Sequence, residues 1–196
     1  MDHLISLDQK LALLINGLSG HSAVLDEIAK GLANDYFLPV VFCLVLLALW
    51  FAFGDGAARE VNQKGVLGAV VALGIANGVV EGMNALFYRA RPYMEIPVRT
   101  VLYQPLDSSL PSNAATVLFA VATAVWFRNR RVGGIMFILA AIEGLSRIYV
   151  GMHFPLDVVS GAVLGVFIGW VVNVLFRVFD PSVSRAIGAA RRLFLA

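Results

Sequence analysis

Five long apolar runs constrain this chain more than any other feature, because each is close to the length that crosses a lipid bilayer. The hydrocarbon core is about 30 Å thick and takes about 20 helical residues to cross. The runs are apolar on every side and lack the alternation typical of membrane β-strands. They cover residues 36–53, 66–88, 112–127, 132–150 and 154–177. The sequence therefore predicts an all-α fold, a polytopic membrane bundle of about five to six transmembrane helices.

The composition favours one membrane-embedded domain over residues 1–196. Hydrophobic residues make up 59% of the chain and charged residues 14%, which excludes a soluble globular surface. We expect amphipathic interfacial helices in residues 1–35, broken at GLSGHS, and the transmembrane bundle in residues 36–177. We expect residues 178–196 to form a basic cytoplasmic tail that suits a membrane surface, so no nucleic-acid partner is predicted.

Basic residues are concentrated at one end of the predicted helices. Nine of the 15 lysines and arginines fall in segment 54–64, in turn 128–131, or in the stretch that begins at Arg177. By the positive-inside rule this end is cytoplasmic. We therefore expect a multi-pass protein of the inner (plasma) membrane, with loop 89–111 on the outer face.

Ionisable residues within apolar segments are costly, and they mark functional sites by default. Arg147, His153 and Asp157 lie together where the fourth run passes into the fifth. His153 and Asp157 are four residues apart, which places them on one face of a helix. An aspartate in contact with one imidazole nitrogen fixes the tautomer and leaves the other nitrogen as a nucleophile or base.

Two further fragments belong to the same outer face, YRARP at the end of the second run and LPSNAAT at the start of the third. The guanidinium groups of Arg91 and Arg147 suit phosphate oxygens. Ser112 and the free N–H groups of residues 113–115 begin a helix, where an anion is stabilised. Together the fragments predict a phosphate site with a histidine nucleophile. Each alone also has a structural explanation, such as an arginine reaching the interface or an ordinary helix start.

These fragments resemble the signatures of the type 2 phosphatidic acid phosphatase (PAP2) family of membrane lipid phosphatases. The third family motif is matched in full by Ser146, Arg147, His153 and Asp157 at the required spacing. The other two are matched in part, by Arg91-Pro92 and by Pro111-Ser112. The resemblance covers about residues 60–175. Within the family, the chain resembles the bacterial undecaprenyl pyrophosphate phosphatases.

The resemblance implies hydrolysis of a lipid phosphate or pyrophosphate without a metal or another cofactor. By analogy, His153 attacks phosphorus to give a phosphohistidine, and Asp157 orients the ring. The phosphate would be held by Arg91, Arg147, Ser112, Asn113, Ala114, Asn84 and Ser146. The expected substrates are polyprenyl pyrophosphates such as undecaprenyl pyrophosphate, with phosphatidic acid or phosphatidylglycerophosphate as alternatives, entering from the surrounding membrane lipids.

Two positions depart from the family pattern. The lysine expected seven residues before Arg91 is Asn84, and the histidine expected after Pro-Ser-x is Ala114. That histidine is the family's general acid, and losing such a group typically costs about 10²–10⁴ in rate. Three interpretations stay open. The chain is a natural enzyme that favours pyrophosphates, a member that binds lipid phosphates without hydrolysing them, or a protein in which Ala114 was introduced deliberately.

Nearby polar residues offer a substitute for the missing groups. The second run carries a polar stripe at helical spacing, formed by Asn77, Glu81, Asn84 and Tyr88. Glu143 lies one turn before Arg147. We hypothesise that Glu81 or Glu143 pairs with an active-site arginine or donates the proton. The alternative is that these residues only satisfy contacts between helices.

Glycines at spacing four form two ridges, which allow helix backbones to approach closely. They are Gly74, Gly78 and Gly82 in the second run, and Gly161, Gly165 and Gly169 in the fifth. We expect the ridges to draw these two runs together, so that Arg91 and His153 share one phosphate. Packing of a homodimer is the competing interpretation.

Overall fold

A computed structural model describes residues 2–51 and 56–192, and every regular element in these ranges is a helix. The all-α prediction is confirmed. In chain order the helices are α1 (Asp2–Asn16), α2 (Ala23–Leu32), α3 (Phe37–Phe51), α4 (Gly56–Leu86), α5 (Pro92–Glu95), α6 (Asn113–Trp126), α7 (Arg130–Tyr149), α8 (Pro155–Val178) and α9 (Asp180–Arg192).

Helix α6 is the centre of the bundle and packs against α4, α7 and α8. Nine of its 14 residues are buried, and four of these are alanines. Such small side chains let neighbouring helices approach closely. The main hydrophobic core surrounds α6 with side chains from α3, α4, α7 and α8. This packing brings the first turn of α6 beside the first turn of α8.

The predicted apolar runs correspond to α3, α4, α6, α7 and α8, but these helices differ in length. Within the described ranges, α4, α7 and α8 are long and apolar enough to cross a membrane. Helices α2 and α3 add a fourth span if the 55° bend between them is counted within one span. Helix α6 extends only about 21 Å, at 1.5 Å per residue. The prediction of five to six spans counted the short helices α3 and α6 as full crossings.

Helix α4 begins well before the apolar part of its sequence. Residues 56–64, predicted as part of a cytoplasmic loop, form its first turns, whereas residues 54 and 55 lie outside the described ranges. The ammonium group of Lys64 lies 3.1 Å from the Glu60 carboxylate and 2.8 Å from that of Asp180 in α9. These ion pairs stabilise a polar helical extension that a hydropathy pattern places in a loop.

The amphipathic N-terminal segment forms α1 and α2, with the break at GLSGHS as predicted. It is also bonded to the bundle by polar side chains. The Asn16 amide donates to the carbonyls of Tyr149, at 2.8 Å, and Arg99, at 2.9 Å. The hydroxyl of Tyr149 donates to the Asp26 carboxylate of α2 at 2.7 Å. The segment is therefore attached to the end of α7 as well as amphipathic.

The two glycine ridges do not pack against each other, so that prediction is wrong. The ridge of α8 faces α6, and a Cβ atom at Gly161 would lie 2.7 Å from the Ser112 carbonyl oxygen. The ridge of α4 faces outward, and within the described part of the chain no atom lies within 4 Å of a Cβ built on Gly74, Gly78 or Gly82. The alanine-rich helix α6 provides the close partner that the sequence analysis assigned to α4.

Candidate active site

His153 lies in the turn between α7 and α8 and is 2% exposed. The turn is tight because Gly151 adopts a φ of +79°, a left-handed conformation that glycine tolerates best. The ring Nδ1 lies 3.0 Å from the carbonyl oxygen of Ser109, an acceptor, so Nδ1 carries the proton and donates it. The lone pair is then on Nε2, which lies 3.2 Å from Nη1 of Arg91.

Asp157 is fully buried in the first turn of α8. Its Oδ2 lies 3.8 Å from Nδ1 of His153, which is too far for a hydrogen bond. Instead Oδ2 accepts from the Ser109 hydroxyl and from the backbone N–H of Phe154, the latter at 2.8 Å. The direct contact expected between the two residues is thus replaced by one through Ser109, because the Ser109 carbonyl occupies the position beside Nδ1.

Arg91 reaches the imidazole from the loop that precedes α5. Its Nη1 donates to the carbonyl of Met152 at 3.2 Å. Its Nε and Nη2 donate to the backbone carbonyl and the carboxylate of Asp107, at 3.3 and 2.8 Å. The Arg91 side chain is 5% exposed. The guanidinium is therefore fixed within reach of a group that approaches Nε2 of His153.

Arg147, in the last turn of α7, is held by two carboxylates. Its Nε donates to Glu143, four residues earlier, and its Nη2 donates to Asp35 from the connection between α2 and α3. Glu143 is 1% exposed, whereas the Asp35 side chain is 39% exposed. The hypothesis that Glu143 pairs with an active-site arginine agrees with this geometry.

A cavity of about 350 Å³ joins these groups to helices α4 and α6. We name its lining residues Arg91, Arg147 and His153 the charged wall; Asp35 and Asp107, which pair with the arginines, also line it. The neutral wall comes from α4 and α6 and comprises Asn77, Asn84, Asn113 and Ala114. The cavity thus combines a cationic surface with an uncharged amide surface.

The neutral wall is less completely hydrogen-bonded than the charged wall. The amide of Asn113 donates to that of Asn77 at 3.3 Å, which joins α6 to α4. Within the described ranges, the buried Oδ1 atom of Asn84 has no hydrogen-bond partner. Such an atom is costly unless water or a ligand supplies a donor. The Asn84 amide can rotate to present donors to an anion.

Neither serine of the predicted phosphate site is among the residues that line the cavity. Ser146 donates its hydroxyl to the Ile142 carbonyl at 2.8 Å, inside α7, which differs from the predicted phosphate contact. The backbone N–H of Ser112 donates to the Asp157 carbonyl at 3.0 Å. Its buried hydroxyl has no partner among the residues that the structure describes. Ser112 therefore joins α6 to α8 through its backbone.

The auxiliary acids are placed differently from the hypothesis. Glu81 and Tyr88 are exposed and lie outside the cavity lining, and the Tyr88 hydroxyl contacts the sulfur of Met94 at 3.5 Å. Glu143 is buried behind Arg147. The prediction that Glu81 or Glu143 donates a proton inside the cavity is therefore not supported by their positions. Polar residues at helical spacing show that they share one face of a helix, but the spacing does not show which other part of the protein that face contacts.

Burial lowers the pKa of His153, which lies outside the spanning helices. The positive charges of Arg147 and Arg91 lower it further, against the opposing effect of Asp157. The neutral imidazole is therefore the favoured form near pH 7. A neutral ring with its lone pair on Nε2 is the form able to attack an electrophile.

Several residues that hold the site were missed by the sequence analysis. They are Asp8, Asp35, Arg89, Asp107 and Ser109. Arg89 belongs to the fragment YRARP that was singled out, and its second arginine was a usable signal. The others lie in segments assigned to interfacial helices or to an outer loop, where spacing gives no indication of a distant contact.

Sequence and fold comparisons agree on one family. The profile of the PAP2 superfamily matches residues 65–180, more than half of the chain. This chain belongs to the PAP2 superfamily. The PAP2 protein is 37% identical over 183 residues to undecaprenyl-diphosphatase BcrC of Bacillus subtilis, covering 87% of this chain and 91% of the relative.

Two solved structures share the fold of this PAP2 protein. LpxE from Aquifex aeolicus matches with a TM-score of 0.66 and 27% identity, over 83% of this chain and 92% of its own. A PAP2-type phosphatidylglycerolphosphate phosphatase from Bacillus subtilis matches with a TM-score of 0.66, over 93% and 88%. At 20% identity, the second likeness concerns the fold alone.

Both departures from the PAP2 pattern, Asn84 and Ala114, line the same cavity as His153. Their uncharged side chains are what make the neutral wall neutral. Within residues 2–51 and 56–192, the structure has no group of three or more histidine, cysteine or acidic side chains that could hold a metal ion.

Proposed function

We propose that this PAP2 protein is a lipid phosphatase that hydrolyses a polyprenyl diphosphate, such as undecaprenyl diphosphate, without a metal ion and through a phosphohistidine at His153. One observation carries the proposal. Nε2 of His153, the ring nitrogen with the free lone pair, lies 3.2 Å from Nη1 of Arg91, and Arg147 lines the same cavity. The relative named undecaprenyl-diphosphatase supports the substrate class.

In the first step, the terminal phosphate binds between Arg91 and Arg147. The phosphate oxygens accept a hydrogen bond from Nη1 of Arg91 in place of Nε2 of His153. The lone pair on Nε2 is then free to react. Nε2 then attacks phosphorus, the bond to the bridging oxygen breaks, and the lipid phosphate leaves with that electron pair. The two guanidinium groups stabilise charge on the equatorial oxygens of the transition state.

In the second step, water attacks the phosphohistidine. The phosphorus–nitrogen bond breaks, the electron pair returns to Nε2, and the product leaves as dihydrogen phosphate, which carries both protons of the water. Throughout both steps Nδ1 keeps its proton and donates it to the Ser109 carbonyl oxygen, 3.0 Å away. This hydrogen bond keeps the ring in one orientation. Asp157 positions Ser109 and is not itself in contact with phosphorus in this scheme.

The neutral wall supports the proposed preference for diphosphates. A lipid phosphate leaves as an anion, whereas the glycerol alkoxide of phosphatidic acid needs a proton from a general acid. Asn84 and Asn113 can donate hydrogen bonds to the leaving phosphate but cannot transfer a proton. Two other functions remain as outcomes of the test: a phosphatidic acid or phosphatidylglycerophosphate phosphatase, and a member that binds lipid phosphates without hydrolysing them.

The test measures phosphate release by the purified protein in detergent, with a chelator present, from undecaprenyl diphosphate and from phosphatidic acid. We expect kcat/KM to favour the diphosphate by about 100-fold or more. Rapid quenching should trap an acid-labile, base-stable phosphoprotein that His153→Ala lacks. Faster release from phosphatidic acid would support the first alternative. Binding of lipid phosphate without release would support the second.

We further propose that the cavity faces the exterior from the inner (plasma) membrane. Turn 128–131, which carries Arg128, Arg130 and Arg131, joins the other ends of α6 and α7, and basic turns favour the cytoplasm. The test is labelling of single cysteines in intact cells, with the native Cys43 replaced by serine. Leu106→Cys should react with a membrane-impermeant maleimide, and Arg130→Cys should react only after permeabilisation. The reverse pattern would contradict this orientation.

A further inference from the structure

We propose that helix α1 is part of the catalytic apparatus, because Asp8 and Arg89 are positioning residues that hold Asp157 and, through Ser109, the imidazole of His153. The inference rests on the proposed function, since it assigns a task to residues around its nucleophile. It extends the site beyond the matched motifs to the N-terminal segment, which the sequence analysis assigned to the membrane interface.

The first link joins the ring to Asp157 through Ser109, which is fully buried. The Ser109 carbonyl accepts from Nδ1 of His153 at 3.0 Å, and its hydroxyl donates to Oδ2 of Asp157. The Ser109 backbone N–H also donates to the carbonyl of Arg89 at 2.9 Å. Ser109 is therefore held on both sides by groups that contact each other. A shift of Asp157 moves the carbonyl that orients the ring.

The second link joins Asp157 to α1 through Arg89. Nη1 of Arg89 lies 2.5 Å from Oδ1 of Asp157, and Nη2 lies 2.6 Å from Oδ2 of Asp8. The guanidinium carbon also lies 4.5 Å from the ring centre of Phe154, in a cation–π contact. Asp8 and Asp157 are both buried, so Arg89 supplies positive charge to two carboxylates away from solvent.

The third link closes the network on the start of α8. The other oxygen of Asp8, Oδ1, accepts from the backbone N–H of Leu156 at 2.8 Å. Asp157 accepts from the backbone N–H of Phe154 at 2.8 Å. Two backbone N–H groups within three residues of His153 are therefore bonded to the two carboxylates that Arg89 joins. Asp8 thus fixes where α8 begins, and with it the turn that carries His153.

Simple docking of α1 does not account for this arrangement. Asn16 at the end of α1 already docks this helix through its bonds to Tyr149 and Arg99, and Asp26 docks the following helix, α2, through the Tyr149 hydroxyl. Asp8 adds a buried charge whose partners lead to Asp157. The carboxylates that hold Arg91 and Arg147 are different ones, namely Asp107, Glu143 and Asp35, and the one bond from Arg91 to the His153 turn goes to the Met152 backbone carbonyl. The Asp8 network should therefore affect the position of the nucleophile and leave phosphate binding unchanged.

The test compares Asp8→Asn with Asp26→Asn, which weakens docking of the same N-terminal segment without contact to Asp157. Asn is similar in size to Asp, but it removes the charge beside Arg89. We expect Asp8→Asn to lower kcat for undecaprenyl diphosphate by about 10- to 100-fold, the cost of a misplaced reacting group. KM and the inhibition constant of inorganic phosphate should change by less than about twofold. Asp26→Asn should keep kcat within about twofold of the wild type.

Ser109→Ala, which deletes one hydroxyl, is the second variant and keeps the test decisive if Asp8→Asn does not fold. It should lower kcat by a similar factor. The double variant should lose little more than either single variant, because both act through Asp157. Equal effects of Asp8→Asn and Asp26→Asn, or an unchanged kcat in Asp8→Asn and Ser109→Ala, would overturn this inference alone. No phosphate release by the wild-type protein would overturn the proposed function, and this inference with it.

Discussion

On the charged wall of the cavity, carboxylates and carbonyls hold both guanidinium groups and the Nδ1 proton, whereas the neutral wall presents the amides of α4 and the first turn of α6. These contacts hold the two guanidinium groups in place beside His153, and preorganised donors of this kind favour electrostatic catalysis. On the neutral wall, the family's expected lysine and histidine are replaced by Asn84 and Ala114. The two walls therefore differ in charge and in how completely their polar groups are hydrogen-bonded, and the proposed function assigns phosphate binding and attack to the charged wall.

Removing charge from the charged wall should have the largest effect. Arg91→Gln is the most useful variant, because its partner Asp107 is 59% exposed and is not left as a buried, unpaired charge. We expect kcat/KM for undecaprenyl diphosphate to fall by about 10³-fold with little change in thermal stability. On the neutral wall, Asn113→Ala should cost less than about fivefold. Comparable losses in the two variants would show that the walls do not differ in function.

Restoring the proton donor should have the next largest effect, and only on one substrate class. We expect Ala114→His to raise kcat for phosphatidic acid by about 100-fold, because an alkoxide leaving group needs a proton. Release from undecaprenyl diphosphate should change by less than about tenfold. Ala114→Gln, which adds bulk and hydrogen bonds without an acid, is the matched control. A large gain on both substrates would mean that Ala114 disables the protein in general.

The sequence predicted the charged wall better than its supports, and the reason is distance along the chain. Arg147, His153 and Asp157 lie within one short segment, where helical spacing specifies proximity. Ser109 bonds to His153 across 44 positions, and Asp8 bonds to Leu156 across 148. Which residue forms a hydrogen bond to a partner so distant in the chain depends on how the helices and loops pack together. Periodicity carries no information about that packing.

The fold shows the same division. The apolar runs identified all five core helices, because a continuous apolar sequence needs a buried or lipid-facing environment. They did not reveal that α6 is short and central, or that residues 56–64 continue α4. The ridge of Gly161, Gly165 and Gly169 was recognised, but its partner was not. Spacing predicts that a helix can be approached closely, and the neighbouring side chains decide which helix does so.

Increasing the distance between the two walls should have a moderate effect on stability and on kcat/KM. A methyl group at Gly161 would meet the Ser112 carbonyl, so Gly161→Ala should push the first turn of α6 away from α8. We expect a loss of about 1–3 kcal/mol in stability and a fall of about tenfold in kcat/KM. Thermal unfolding and kinetics measure the two effects.

The matched control is Gly78→Ala on the outward ridge, where the structure leaves space for a methyl group. Stability and activity of this variant should match the wild type. Gly78→Leu provides a separate measurement for the homodimer that the α4 ridge could form. Loss of an oligomer in Gly78→Leu, with unfolding temperature unchanged, would support that dimer. If Gly161→Ala behaves like Gly78→Ala, then close packing of α6 on α8 does not set the distance between the walls.

The smallest expected effect is a shift in the pH profile. Burial, together with the two arginines, lowers the pKa of His153, whereas Asp157 raises it. Free histidine has a pKa of about 6.5. Because attack requires the neutral ring, kcat/KM of the wild type should stay level through pH 6.5 and fall only below it. In the same window the unfolded chain binds a proton that the native ring does not, so stability should also decrease as the pH falls below about 6.5.

Asp157→Asn removes the carboxylate that raises the pKa of His153, and the acid limb of its residual activity should therefore move to lower pH. The ionisation of the substrate is common to both proteins, so the difference between the profiles reports on His153. A limb that moves to higher pH in Asp157→Asn would mean that the carboxylate does not stabilise the imidazolium, and that the charged wall does not act on the ring as described.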